Sequence, residues 1–63
     1  MNKPNYNEII KTARKTKGLT QQELADEAGV SLRTIQRIEK GTEEISGFSL
    51  RQISKVLDIP LEE

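Results

Sequence analysis

Apolar positions recur along this chain with a helical period. Tyr6, Ile9, Ile10 and Ala13 stand at i, i+3, i+4 and i+7, one face of a first helix that should fade near Lys17 and stop at Gly18. Thr20 followed three residues later by Glu23 predicts a capping box, and Leu19 with Leu24 forms the hydrophobic staple that accompanies one. The arrangement repeats at Ser31, with Val30 and Ile35 as the staple, and at Ser46, with Ile45 and Leu50. Gly29 and Gly41 each follow an apolar-periodic stretch and suit the left-handed conformation that closes a helix. The expected elements are a second helix from Gln21 to Ala28, a third from Leu32 to Lys40 and a fourth from Gly47 to Leu57. Pro60 suits the first turn of a fifth helix, and Ile59 is half of a staple whose partner would lie just beyond Glu63. That helix is expected to be truncated; a short frayed end is the alternative. No repeat, low-complexity tract or linker divides residues 1–63, so the pattern predicts one all-α, compact four- to five-helix domain.

Helices 2 and 3 are separated only by Gly29, Val30 and Ser31, and so short a link containing Gly forces a steep crossing. Close crossing needs small residues at the contact, which Ala25 and Gly29 provide, above an apolar wedge of Val30, Ile35 and Ile38. The string Gln21-x-x-x-Ala25-x-x-x-Gly29-Val30-Ser31-x-x-x-Ile35-x-x-Ile38-Glu39 therefore matches a helix-turn-helix over about residues 20–40 at every position that steric packing dictates.

Composition narrows the chemistry. The 63 residues contain no Cys and no His, which removes disulfides and the usual zinc constellations and leaves a small helical core to stabilise the fold. No metal, cofactor or small-molecule ligand is implied. An enzyme is disfavoured as well, because the few Ser and Thr residues are largely used as caps with no base beside them. Hydrophobic residues at 33% against 32% charged indicate a globular domain rather than a disordered segment. No apolar run exceeds three residues, so neither a membrane span nor a signal segment is expected, and the location expected is cytoplasmic. Formal net charge is zero, against an indiscriminate nucleic-acid binder. The distribution is uneven: Met1 to Lys40 holds eight basic and five acidic residues, or +3, and the remainder is −3, compatible with one basic face and one acidic end.

Helix 3 concentrates the basic chemistry. At about 100° per residue, Gln36, Arg37 and Lys40 fall within roughly 60° of Arg33, whereas Ile38 and Ile35 fall at roughly 140° and 200° from it. One face is long, polar and cationic, the other core. Arg bonds guanine and Gln bonds adenine bidentately in the major groove, so Arg33, Gln36 and Arg37 are candidates for base reading. Leu32, at the margin of that face, is a candidate for a thymine methyl. Helix N-termini attract phosphate through free N–H groups and the helix dipole, which nominates Thr20, Gln21 and Gln22 at the start of helix 2 and Ser31 at the start of helix 3. Lys40 and Thr42, beyond the reading positions, complete the phosphate set.

The run Lys17-Gly18-Leu19-Thr20-Gln21-Gln22-Glu23-Leu24-Ala25, followed by Gly29-Val30-Ser31-x-x-Thr34-Ile35-x-x-Ile38-Glu39-x-Gly41, resembles the Cro and phage-repressor family of bacterial transcriptional regulators, also called the xenobiotic-response-element family. Leu50-x-x-Ile53-Ser54-Lys55-x-Leu57 resembles its fourth helix, and the similarity runs from about Ile9 to Glu62. The resemblance implies a five-helix domain with helix 3 in the major groove of double-stranded DNA. It also implies a homodimer, completed through the C-terminal region, on a two-fold symmetric operator, with Gln21 against the DNA backbone. It further implies an ion pair between Arg14 and Glu39, a structural role. Two departures stand out. Glu43 and Glu44 follow helix 3, where the family often has basic or neutral residues near phosphate, and repulsion there means a loop held clear of DNA or a low affinity. Gly47-Phe48 replaces polar residues, leaving Phe48 to pack locally or to serve a partner surface. The zero net charge and acidic loop leave one rival, a protein-interaction module of this fold that has lost DNA binding. Repressor and activator roles, the antitoxin half of a toxin-antitoxin pair, and an N-terminal module fused to a sensor or membrane segment are equally compatible with the sequence.

Overall fold

The computed structural model describes residues 6–42 and 45–60. Within them lie four helices: α1 (Tyr6–Thr16), α2 (Gln21–Ala28), α3 (Leu32–Lys40) and α4 (Gly47–Leu57). Their boundaries follow from local chemistry. Thr20 Oγ1 accepts from Glu23 N at 3.0 Å while Glu23 Oε1 accepts from Thr20 N at 2.8 Å, a complete capping box. Ser31 and Ser46 accept from the N–H of Thr34 and Ser49 at 3.1 and 3.2 Å, but the reciprocal half expected there is missing. The third helical residue is Thr34 or Ser49, whose short side chain does not take the place of a Glu or Gln reaching back to the cap N–H. Those two caps satisfy one backbone donor each instead of two.

At the C-terminal ends Gly18, Gly29 and Gly41 take φ of 75°, 72° and 78°. Gly29 N–H and Val30 N–H both return to the Ala25 carbonyl, which turns the chain sharply between α2 and α3. α4 ends without glycine: Asp58 adopts φ 57° and Ile59 N–H returns to the Ser54 carbonyl at 3.0 Å, Asp being one of the few residues that tolerate this conformation. Residues 61–63, where the fifth helix was expected, and Glu43 with Glu44 lie outside the described residues.

Each helix contributes one wholly buried large side chain, Ile10, Leu24, Ile35 and Ile53, and these meet with Ala25, Ala28, Ile38 and Leu57 in a single core. α1 and α2 each pack against both α3 and α4. The staple residues Leu19, Val30, Ile45 and Leu50 lie half-buried around this cluster.

The expected apolar face of α1 needs one correction. Ile10 is fully buried, but Ile9 is 37% exposed and shares an apolar surface depression with Glu8, Thr12 and Ala13. The helix is rotated because its contact with α3 is partly polar: the Asn7 amide donates to the Ile38 carbonyl, and Arg14 reaches Glu39. Asn7 and Arg14 lie roughly 60° and 40° beyond Ile10 on the α1 wheel, whereas Ile9 lies roughly 100° to the other side. Turning the polar pair towards α3 turns Ile9 out.

Candidate nucleic-acid interface

α3 is held by its buried residues, Ile35, Ile38 and Glu39, and this choice of inner face decides what the outer face presents. Arg33, Gln36, Arg37 and Lys40 are exposed and Leu32 is half-buried. All five line one shallow groove on the solvent side of the helix. The side chains nominated for base reading, and Lys40 beyond them, thus share one continuous surface.

Behind that surface sits a polar junction. Glu39 is buried, its side chain 4% exposed, against 12% for Arg14. Arg14 Nε and Nη2 donate to Glu39 Oε2 and Oε1 at 2.6 and 2.9 Å, a two-pronged pairing of planar groups. Arg14 Nη1 also donates to the Leu19 carbonyl at 2.8 Å, and Gln21 Nε2 donates to Glu39 Oε1 at 3.1 Å. Burial alone pushes the Glu39 carboxyl up, but the hydrogen bonds from Arg14 and Gln21 and the charges of Arg14 and Lys11 prevail, holding it below the usual carboxylate range. The bond to Glu39 correspondingly raises Arg14 against the opposing effect of its own burial. One carboxylate on α3 thereby orients the end of α1, the turn at Leu19 and the first residue of α2.

Of the residues nominated for phosphate binding, Lys40 is exposed, and the other five are engaged inside the domain to some degree. Thr20 and Ser31 cap their helices; Ser31 Oγ lies 2.9 Å from Thr34 Oγ1 as well. The Gln21 amide is turned to Glu39, and Gln22 Nε2 donates to Asp26 Oδ1 at 2.9 Å, one helical turn on. Thr42 Oγ1 makes only a long 3.5 Å contact to the Arg37 carbonyl. These bonds do not exhaust the groups: each glutamine amide keeps a second N–H, and the Thr20 hydroxyl, which accepts as a cap, still has a proton to donate.

Sequence reasoning passed over one part of the surface. Lys11 and Lys15 of α1 line a second cleft together with Arg14, Gln21, Gln36, Glu39 and Lys40. Gln36 and Lys40 thus border both this cleft and the groove on α3. The available signal was the i, i+4 spacing of Lys11 and Lys15, which puts both on one side of α1; the expectations for helix 1 concerned its apolar stripe and Arg14. Phe48, at 70% exposure, packs little against its own domain.

The helix-turn-helix family profile matches residues 10–63. The chain is 37% identical over 57 residues to the Bacillus subtilis HTH-type transcriptional regulator YqaE, covering 90% of this chain and 49% of that protein. Over 52 residues it is 33% identical to HTH-type transcriptional regulators of Sinorhizobium medicae and Rhizobium meliloti, covering 82% of this chain and 37% of each. The chain therefore spans less than half the length of these relatives.

Proposed function

The chain belongs to the helix-turn-helix family, and from that premise we propose that it is the DNA-binding domain of a bacterial transcriptional regulator, with α3 entering the major groove. The observation that supports this best is the single groove formed by Leu32, Arg33, Gln36, Arg37 and Lys40 on the outer face of α3, next to the short turn that sets the angle between α2 and α3. Arg33 and Arg37 take guanine edges, Gln36 an adenine edge and Leu32 a thymine methyl. Thr20, Gln21, Gln22, Ser31, Lys40 and Thr42 position the domain on phosphate. The Arg14–Glu39 pair acts indirectly, by keeping α3 and the start of α2 in one rigid relation. A two-fold operator bound by two copies associated through the C-terminal region would supply the affinity one half-site lacks. Double-stranded DNA and a second copy of the chain are the partners this reading involves; catalysis plays no part in it.

A salt-dependent titration against duplexes from upstream of the protein's own gene tests the reading. Wild type should bind one duplex selectively, and more weakly as salt rises. Arg37→Ala should lose about 1–3 kcal/mol of discrimination between sequences, whereas Gln21→Ala should weaken all duplexes alike. Absence of binding by wild type at low salt, even as an enforced dimer, would replace this reading with the interaction-module one.

A further inference from the structure

We infer that the cleft between α1 and α3 is a second phosphate seat, in which Lys11 and Lys15 of α1 join Lys40 of α3 against the DNA backbone beside the reading helix. The inference rests on the DNA-binding reading and extends the contact surface to a helix that the helix-turn-helix motif does not include. Seven side chains line the cleft, and four of them, Lys11, Arg14, Lys15 and Lys40, are cations. Its one carboxylate, Glu39, already receives two bonds from Arg14 and one from Gln21. An anion entering the cleft therefore meets a net positive field and a carboxylate whose charge is locally balanced.

The lysines are placed for this role. Lys11 and Lys15 are one helical turn apart, about 6 Å along the axis, and among the described residues Lys11, Lys15 and Lys40 make no ion pair. Lys11 is half-buried and Lys15 exposed, and long lysine side chains at such positions can bury the stem while the ammonium group reaches into solvent. The charge of Lys11 is already felt at Glu39. Because Gln36 and Lys40 border both the cleft and the α3 groove, a duplex whose major groove takes α3 brings a backbone strand towards this opening. The lysines bear no planar fork for a base edge, so their contribution is to affinity rather than discrimination.

The test is fluorescence anisotropy of the full chain with a labelled mixed-sequence duplex at salt concentrations from about 25 to about 200 mM, where each phosphate contact contributes about 0.9 to the slope of log K against log salt. Lys11→Gln/Lys15→Gln should lower that slope by about 1.8 and leave relative preferences among duplexes unchanged. Lys17→Gln/Lys55→Gln removes the same charge outside the cleft and should alter the slope by less than about 0.5. Thermal melts check that both double variants stay folded. Should wild type bind while the first variant keeps its slope, or while the two variants lose slope equally, the cleft is no phosphate seat and the DNA-binding reading is untouched. Should wild type bind no duplex at the lowest salt, the DNA-binding reading itself is overturned, and this inference with it.

Discussion

Glu39→Gln changes almost nothing in size and should nevertheless be among the most damaging substitutions in this domain. Three N–H donors, Arg14 Nε, Arg14 Nη2 and Gln21 Nε2, converge on the two carboxylate oxygens. A glutamine offers one oxygen and an NH₂ that opposes one of those donors, so at least one donor, usually on a charged group, is left facing another. Breaking a buried pair from one side costs about 3–5 kcal/mol. Arg14 keeps its bond to the Leu19 carbonyl and is 12% exposed, which brings the expected loss to about 2–4 kcal/mol. A domain of this length has about 3–9 kcal/mol in total, and a fall in Tm of at least about 10 °C follows. Thermal denaturation followed by circular dichroism measures it, with Arg14→Met/Glu39→Gln closing the cycle. The double variant should regain part of the loss, because no charge is then stranded. Acid supplies an independent check. The folded carboxyl is held below its ordinary value, so the unfolded chain binds the proton more tightly and stability due to Glu39 is complete above about pH 4.3, then is lost as pH falls through the lower folded value. The gap between wild type and Glu39→Gln should therefore be full at neutral pH and close in acid. A variant melting within about 2 °C of wild type at neutral pH, or a gap indifferent to acid, would show that the junction contributes little.

Neighbouring residues on α1 should behave oppositely. Ile10→Ala, at a site with no exposure, should cost about 2–5 kcal/mol, whereas Ile9→Ala, 37% exposed, should cost less than about 1 kcal/mol, as read from chemical denaturation midpoints. Ser54 is buried with its hydroxyl unbonded among the described residues, so Ser54→Ala should leave the unfolding free energy unchanged or raise it by up to about 1–3 kcal/mol of recovered desolvation, as read from denaturant midpoints. Gly29 has open space where a Cβ would go, so Gly29→Ala should cost only the strain of φ 72°, about 1–2 kcal/mol, with binding preserved in whatever fraction stays folded.

The four helices were legible in the chain because their signals are local. Thr20, Ser31 and Ser46 sit at the residue before each helix and act on backbone three positions away, and Gly18, Gly29 and Gly41 close helices by a conformation that depends on their own φ. Asp58 escaped notice because aspartate in that conformation has no distinctive sequence signature. The repeated capping box was over-read: Ser31 and Ser46 stand where a cap should, but the third residue beyond each has too short a side chain for the second half. On α3, a strong segregation of Ile35 and Ile38 from Arg33, Gln36, Arg37 and Lys40 left one way for the helix to face, and its outer surface could be nominated from spacing alone.

The tertiary structure decided what spacing leaves degenerate. An amphipathic stripe as wide as Tyr6, Ile9, Ile10 and Ala13 specifies a side of α1 but not its rotation to within the angle separating neighbouring residues. That rotation was set by contacts to residues more than twenty positions away, Asn7 to Ile38 and Arg14 to Glu39, and it turned Ile9 outwards. The inward-facing Gln21 amide and the meeting of Lys11 and Lys15 with Lys40 have the same origin. Sequence by itself determined where α2, α3 and α4 begin, where the glycine-closed helices end, and which face of α3 meets solvent, since those depend on backbone groups and hydrophobicity within a few residues. Which polar groups meet between helices depends on the relative orientation of packed elements, and only the assembled core establishes that.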